Sequence, residues 1–487
     1  MSSNSFNKWN KVLAWSCFAV AFIVFTLTVE PTASFWDAGE YIATSAKLQV
    51  GHPPGAPLFQ MFGAFFSTFT FGDNSMVALA VNMMSVASSA FTILFMFWTI
   101  TLLLRKIVDP EKSTNGIAIL GSATLGCLTF TFTDSFWFNA VETEVYAMAT
   151  FMMALMFWLG LKWEQNMNTP RGNKWLILIS FIIGLSFGVH FMGLLTIPAI
   201  GLIYYFKNYK VTVQNFFIAN AIVVGILAFI FKVLLPTTLK TFSWFEVNLV
   251  NGLGLPFHSG TIICGLAFIA LFYFALKKTR EKKQLLANTI VLCLLFIFIG
   301  FSSWLMLPIR ANANPAINEN SPASARELLA YYNLEQYPET KLFYGPQFTD
   351  AYAGLDKEEP YIDAKPKYEM NKVLGKYEVV NKWQGAVQNS SREHKAFLPR
   401  MWSSDHATNY MKFTGPLEFT TIPYNEFQEE IFRQYGDSID PRNIREFYKE
   451  IKYENDARNR YFQSKGYNDT EELHKFLKET PYINIEK

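Results

Sequence analysis

Asp37 and Glu40 stand three residues apart in "SFWDAGEYIATSAKLQVGHPPGAP" (residues 34–57), a polar and aromatic stretch between two apolar runs. On a helix that spacing puts both carboxylates on one face with Tyr41 and Thr44. A positioned carboxylate takes the proton of a hydroxyl as its oxygen attacks, and nearby like charges raise one another's pKa. Two more clusters set acids beside aromatics, "TDSFWFNAVETEVY" (133–146) and "FSWFEVN" (242–248). Glu142 and Glu144 are two apart, so on a helix they point in different directions. Only one is expected to share a pocket with Asp37, and Glu142 is the choice made here. Trp36 and Trp137 offer flat apolar faces on which a sugar ring could stack. A phosphate leaving group would need a cation, preferably a guanidinium, and Arg310 in "LPIRANANPAINEN" is the candidate. Glu30, Asp73 and Glu246 read as solvated charges.

The elements that must carry these groups are membrane helices. Of 487 residues, 51% are hydrophobic and only 17% charged, against about a quarter in soluble domains. Residues 1–308 hold 18 Lys/Arg and 12 Asp/Glu, a net +6, whereas 309–487 hold 24 and 28, a net −4. The overall +2 averages two unlike regions and gives no sign of a nucleic-acid partner. Apolar runs near 12–29, 76–104, 116–131, 141–161, 175–206, 213–235, 260–276 and 285–308 suit spans of roughly 20 residues. The 175–206 run is too long for one span and breaks at "GLSFGVH", beside His190, so about nine spans are expected. With the N-terminus in the cytoplasm, 15 of the 18 basic residues of this part lie on the cytoplasmic side. Nine spans then export residues 309–487. The acid clusters fall on the same outer side, where ionisable groups at span edges mark a site. The first run reads as an anchored span rather than a cleaved signal peptide, because "PTAS" is a weak cleavage site.

Within the first outer loop, residues 37–46 read as an amphipathic helix lying at the interface, ended by Pro53 and Pro54. "GAPLFQMFGAFFSTF" (55–69) reads as a second such helix. In the exported region, residues 321–337 open as a helix with Ser then Pro, 341–348 read as a strand and turn, and 442–480 as mostly helix. His394, His406 and His474 are isolated and expected at the surface. Cys17, Cys127, Cys264 and Cys293 lie inside apolar runs without metal-ligand spacing, so they are expected to be packing residues. The fold class is therefore a polytopic α-helical membrane domain over 1–308, followed by a soluble, mixed or α-rich periplasmic region over 309–487.

These segments resemble a family. "FWDAGEYIATSAKLQVGHPPGAP", "FWFNAVETEVYAM", "GLSFGVHFMGLLTIPA", "IRANANPAINENSP", "YYNLEQYPETKLFYGPQF" and "LPRMWSSD" are similar, in this order, to Bacteroidetes protein O-mannosyltransferase-like membrane proteins. That family is related to a vertebrate transmembrane O-mannosyltransferase. The resemblance implies a GT-C-type glycosyltransferase that moves a sugar, mannose by analogy, from a polyprenyl-phosphate carrier to Ser/Thr hydroxyls of exported proteins. It implies Asp37 as general base, with Glu40 and Glu142 orienting it or the sugar. His52, followed by Pro53 and Pro54, matches the histidine–proline–proline run near the donor. Trp36, Trp137, Glu144, His190 and Arg310 are the expected substrate-binding residues. Related eukaryotic enzymes carry adjacent acids, whereas Glu40 lies three residues beyond Asp37, which leaves its role less defined. No cofactor is expected. Asp37, Glu142 and Glu144 could bind a divalent ion, but no loop resembles a dedicated ion site. The expected setting is a bacterial inner membrane with the site facing the periplasm. Family members are longer, so a short member or a fragment is expected. The rival readings are a secondary transporter, which would show internal repeats and midplane charges, a non-catalytic scaffold of an export complex, and a glycosyltransferase acting on lipid or polysaccharide.

Overall fold

The computed structural model describes residues 2–112, 114–337, 341–350, 354–415, 417–436, 439–465, 475–477 and 479–486. The chain divides into two compact units, residues 1–337 with 369–377, and residues 338–368 with 378–487.

In the first unit every apolar run is a helix. They are α1 (Ser3–Leu27), α4 (Val77–Ile107), α5 (Asn115–Thr131), α7 (Val145–Asn166), α8 (Asn173–Ser186), α9 (Thr196–Asn208), α10 (Val213–Ala228), α12 (Ser259–Glu281) and α13 (Leu285–Phe301). Shorter helices stand between them: α2 (Ala38–Ala46), α3 (Pro57–Ser67), α6 (Asp134–Ala140), α11 (Leu235–Leu253), α14 (Met306–Ala311) and α15 (Ala325–Tyr332). Among the described residues, six helices are long and apolar enough to cross a membrane, or seven if α5 and α6, bent by 68°, count as one span. The nine expected spans are not all matched because α8 and α9 have 14 and 13 residues. At 1.5 Å per residue each reaches about 20 Å, short of a hydrocarbon core of about 30 Å. The 213–235 run continues instead into α11 through one π turn at Phe229–Leu234, which takes up the missing N–H of Pro236.

Small residues decide how closely the helices approach. The buried face of α1 is Phe6, Ala14, Cys17, Ala21 and Phe25, which lies against Val86, Ala90, Ile93 and Phe97 of α4 and Ile119, Ala123 and Cys127 of α5. The α8–α13 crossing turns on glycines: a Cβ on Gly184 would sit 2.0 Å from the Ile297 carbonyl oxygen. A second core joins α2, α3, α4, α7, α8, α9, α13 and α15 through Ile42, Phe59, Met84, Met152, Met156, Ile183, Phe187, Ile197, Phe301, Trp304 and Tyr331. The four cysteines are free thiols, and Cys17, Cys127 and Cys264 are buried.

The second unit is built from two-stranded antiparallel ribbons: β1 (Tyr344–Pro346) with β6 (Lys395–Phe397), β2 (Tyr361–Ile362) with β5 (Val387–Gln388), and β7 (Glu418–Thr421) with β8 (Ile483–Glu486). A further hairpin, β3 (Tyr368–Asn371) with β4 (Lys376–Val379), carries residues 369–377, which belong to the first unit. Helices α16 (Ala407–Thr414), α17 (Tyr424–Tyr435) and α18 (Pro441–Lys465) complete it. Phe348, Met411, Leu417, Phe419, Phe462 and Ile485 form its main core. The expected strand at 341–348 and the helix near 321–337 are present as β1 and α15, the latter capped by Ser324. His394 is not at the surface as expected: it is buried, with Nδ1 2.9 Å from Thr349 Oγ1. A hydroxyl partner removes the cost of burying the ring. His406 is exposed, and His474 lies outside the described residues.

Candidate functional site

The loop before α2 is pinned from two sides. Asn82, buried in α4, donates its side-chain N–H groups to the Glu30 and Thr32 carbonyls at 2.6 and 2.9 Å. The Glu30 N–H donates to Val141 at 2.9 Å, and the Thr143 hydroxyl donates to Asn82 Oδ1. The loop that leads into α7 and the loop that leads into α2 are thus held together. Asp37 occupies the N-cap of α2 and Glu144 the N-cap of α7.

Asp37 makes no capping bond with its side chain, which is 56% exposed. Glu40, one turn on, is committed instead: its carboxylate accepts the His52 backbone N–H at 2.7 Å and lies 2.8 Å from His52 Nδ1. Gly51 makes this possible, because a Cβ there would stand 2.7 Å from Glu40 Oε1. His52 Nε2 lies 3.8 Å from Asp37 Oδ2. The hydrogen bond with Glu40 raises the His52 pKa above the usual histidine range, and the same bond holds Glu40 below the usual carboxylate range. Glu40 therefore stays ionised beside a readily protonated imidazole. Tyr41 packs edge-on against Phe59 and lies 5.9 Å from the His52 ring. Burial, then the charges of Glu144, Asp37 and Glu40, raise its hydroxyl pKa.

The choice between the two acids that precede α7 is reversed. Glu144, not Glu142, is the acid beside Asp37: burial first, then the Asp37 charge, raise its pKa to about 7. Glu142 is buried near Ser34 and Glu30, and burial is the main cause that raises its pKa. The helical-direction argument fails because residues 141–144 are not helical; Glu144 has extended backbone angles.

The other candidates are scattered. Trp36 stands next to Asp37, 88% exposed, with φ at 60°, a left-handed conformation uncommon for a bulky residue. Trp137 is not brought to Asp37; its indole donates to Thr28 Oγ1 at 2.9 Å and packs against Phe25 and Phe132. His190 caps the short turn before α9, where its Nδ1 accepts the Met192 N–H at 3.1 Å, and its ring lies 5.2 Å from Tyr146. Arg310 is taken up elsewhere: Nε and Nη2 donate to the Leu48 and Lys47 carbonyls at 2.5 and 3.1 Å. Those carbonyls end α2, so Arg310 and Asp37 stand at opposite ends of a nine-residue helix, about 13 Å of axial rise. Glu246, expected to be solvated, is fully buried and accepts from His258 N, Thr261 N, Thr261 Oγ1 and Tyr377 Oη. It satisfies free N–H groups at the start of α12. Among the described residues no three His, Cys, Asp or Glu side chains are placed to hold a metal ion.

Sequence reasoning missed the supports. Asn82 and Gln60 are buried polar residues on otherwise apolar helices, and Gln60 Nε2 donates to Thr44 Oγ1 at 2.8 Å. Polar groups inside apolar helices were the available signal.

The fold and site together define a polytopic helical membrane protein with acids and an imidazole gathered at the ends of α2 and α7. Residues 37–213 match the model of the protein O-mannosyl-transferase TMEM260 N-terminal domain family, which begins at Asp37, and residues 338–432 match a family of unknown function, DUF8416. The chain is 27% identical over 139 residues to the protein O-mannosyl-transferase tmem260 of Dictyostelium discoideum, covering 28% of this chain and 15% of that one. It is 28% identical over 170 residues to the mouse (Mus musculus) protein O-mannosyl-transferase TMEM260, covering 35% and 22%. The aligned stretches thus span less than a quarter of either relative. Over residues 37–213 this chain is protein O-mannosyl-transferase-like. No solved structure matches it.

Proposed function

We propose that the protein is a glycosyltransferase that moves mannose from a polyprenyl-phosphate carrier to Ser/Thr hydroxyls of exported proteins, with the site on the periplasmic face of a bacterial inner membrane. The observation that carries the reading is the convergence of Glu40, His52 and Glu144 on an exposed Asp37, in a chain that is O-mannosyl-transferase-like over residues 37–213.

The acceptor oxygen attacks the anomeric carbon, the bond from that carbon to the phosphate oxygen breaks, and the electron pair leaves with polyprenyl phosphate. Asp37, the exposed carboxylate, receives the hydroxyl proton. His52 Nε2 lies 3.8 Å from Asp37 Oδ2, and a proton on that nitrogen, favoured by Glu40 behind the ring, suits the oxygen of a leaving phosphate. Glu40 fixes which ring nitrogen faces inward, as a carboxylate behind a catalytic imidazole does. Trp36 offers the sugar a stacking face. Arg310, held by two carbonyls, is not assigned to the phosphate.

The test is transfer of labelled mannose from polyprenyl-phosphate mannose to a Ser/Thr peptide by the purified chain. Asp37→Asn should fold and insert normally yet lose transfer. Normal turnover in that variant overturns the assignment. Lipid and polysaccharide acceptors in parallel reactions identify the acceptor class.

A further inference from the structure

We propose that residues 310–331, beyond α13, belong to the site, with Tyr331 and Arg310 as positioning residues that hold the His52 loop against Glu40 and Asp37. This rests on the reading of His52 as part of the transfer site. The segment lies outside both family matches, which cover 37–213 and 338–432.

The contacts run along the loop without a gap. Arg310 takes the Lys47 and Leu48 carbonyls, and Gln49 Oε1 accepts the Ile317 N–H at 2.8 Å. Val50 forms a parallel bridge with Asn318: its N–H donates to Ile317 at 3.1 Å and its carbonyl accepts from Glu319 at 3.0 Å. The Tyr331 hydroxyl lies 2.6 Å from the Gly51 carbonyl and 3.1 Å from that of His52. Every residue from Lys47 to His52 is therefore tied to this one segment.

Tyr331 is itself fixed. It is 1% exposed, and its ring meets Trp304, whose indole donates to the Phe187 carbonyl at 2.8 Å. The loop closes directly on the phenol, since a Cβ on Gly55 would stand 2.6 Å from Tyr331 Oη. Arg310 at the C-terminal end of α2 also meets the negative end of that helix. A loop with its polar backbone groups bound to rigid elements keeps His52 Nδ1 on Glu40 at little entropic cost when substrate arrives.

The charged and titratable groups that face His52 are Glu40 and Asp37 from α2 and Glu319 from the segment itself, with the Tyr41 ring alongside. Tyr331→Phe removes the phenolic proton and keeps the ring. In the full chain in nanodiscs, diethyl pyrocarbonate labelling of His52, read by peptide mass spectrometry across pH, should show a midpoint lowered toward ordinary histidine. In the transfer assay, kcat should fall about tenfold to a hundredfold while KM for the donor stays within about twofold. A wild-type labelling midpoint overturns the inference, because a residue needed only for folding would lower yield and leave this titration alone. Arg310→Gln, at the other end of the segment, gives the same readout if Tyr331→Phe does not fold. Absence of transfer by the wild-type chain would sink the functional reading, whereas the labelling midpoint judges the positioning role by itself.

Discussion

One imidazole bridges two acids of the same helix: His52 Nδ1 lies 2.8 Å from Glu40 Oε2, and its Nε2 lies 3.8 Å from Asp37 Oδ2. The Glu40–His52 half is the stronger, and it is less than one-third exposed on both sides. Its pH behaviour follows from the two shifts. Glu40 is held low, so its contribution is present above the usual glutamate pKa and lost as pH falls through the folded value. His52 is held high, so its contribution is present below the usual histidine pKa and lost as pH rises through the folded value.

Glu40→Gln should therefore cost most between the usual glutamate and histidine values. About 1.5 kcal/mol is expected near pH 5.5, shrinking above pH 8. Thermal unfolding of both proteins in one detergent at pH 5.5 and 8.5 checks it. An equal penalty at both pH values contradicts the ion pair.

Glu144 has the opposite sign. Its pKa is raised to about 7, chiefly by burial, so the folded state prefers the protonated acid and loses stability as pH rises through 7. Glu144→Gln keeps the shape and removes the charge. It should melt at the same temperature as wild type at pH 4.5 and a few degrees higher at pH 8.5. A variant less stable at pH 8.5 would mean that the ionised carboxylate is the form the fold requires.

The sequence pattern carried the helices and half of the site. Runs of apolar residues locate α1, α4, α7 and α12 because a helix in lipid has little freedom to be anything else. Pro53 and Pro54 mark the turn between α2 and α3 because their rings bar a continuing helix. Asp37, Glu40 and His52 were readable because they are close in sequence. Arg310 was not, since its partners lie 262 and 263 residues away. A guanidinium read alone suggests an anion, yet it serves equally well at the carbonyl end of a helix. Glu246 was misread for a related reason: its partners at His258 and Thr261 become visible only once α11 and α12 fold back on each other.

That buried carboxylate yields a stability test separate from catalysis. Glu246→Ala leaves the His258 and Thr261 N–H groups at the start of α12 without their acceptor. About 3 kcal/mol should be lost, read as a lower thermal midpoint. Transfer per folded molecule should be unchanged, because Glu246 contacts neither Asp37 nor His52. A selective loss of kcat would instead tie α11 to the chemistry.

The two tryptophans that sequence reasoning paired should separate. Trp137 is bound by a hydrogen bond to Thr28 and by two ring contacts, to Phe25 and Phe132. Trp36 is almost entirely exposed and holds a left-handed backbone conformation that costs free energy. Trp137→Ala should lower the thermal midpoint by several degrees, consistent with about 2–4 kcal/mol for a partly buried aromatic, and leave KM for the donor unchanged. Trp36→Ala should leave the midpoint within a degree, since no packing is lost, and raise KM for the sugar donor about tenfold if the indole stacks on the sugar. Measuring both midpoints and both KM values in the same preparation separates the roles. If Trp36→Ala turns over donor with wild-type KM, the sugar stacks elsewhere, and Tyr41, one turn on from Asp37, becomes the next aromatic face to test.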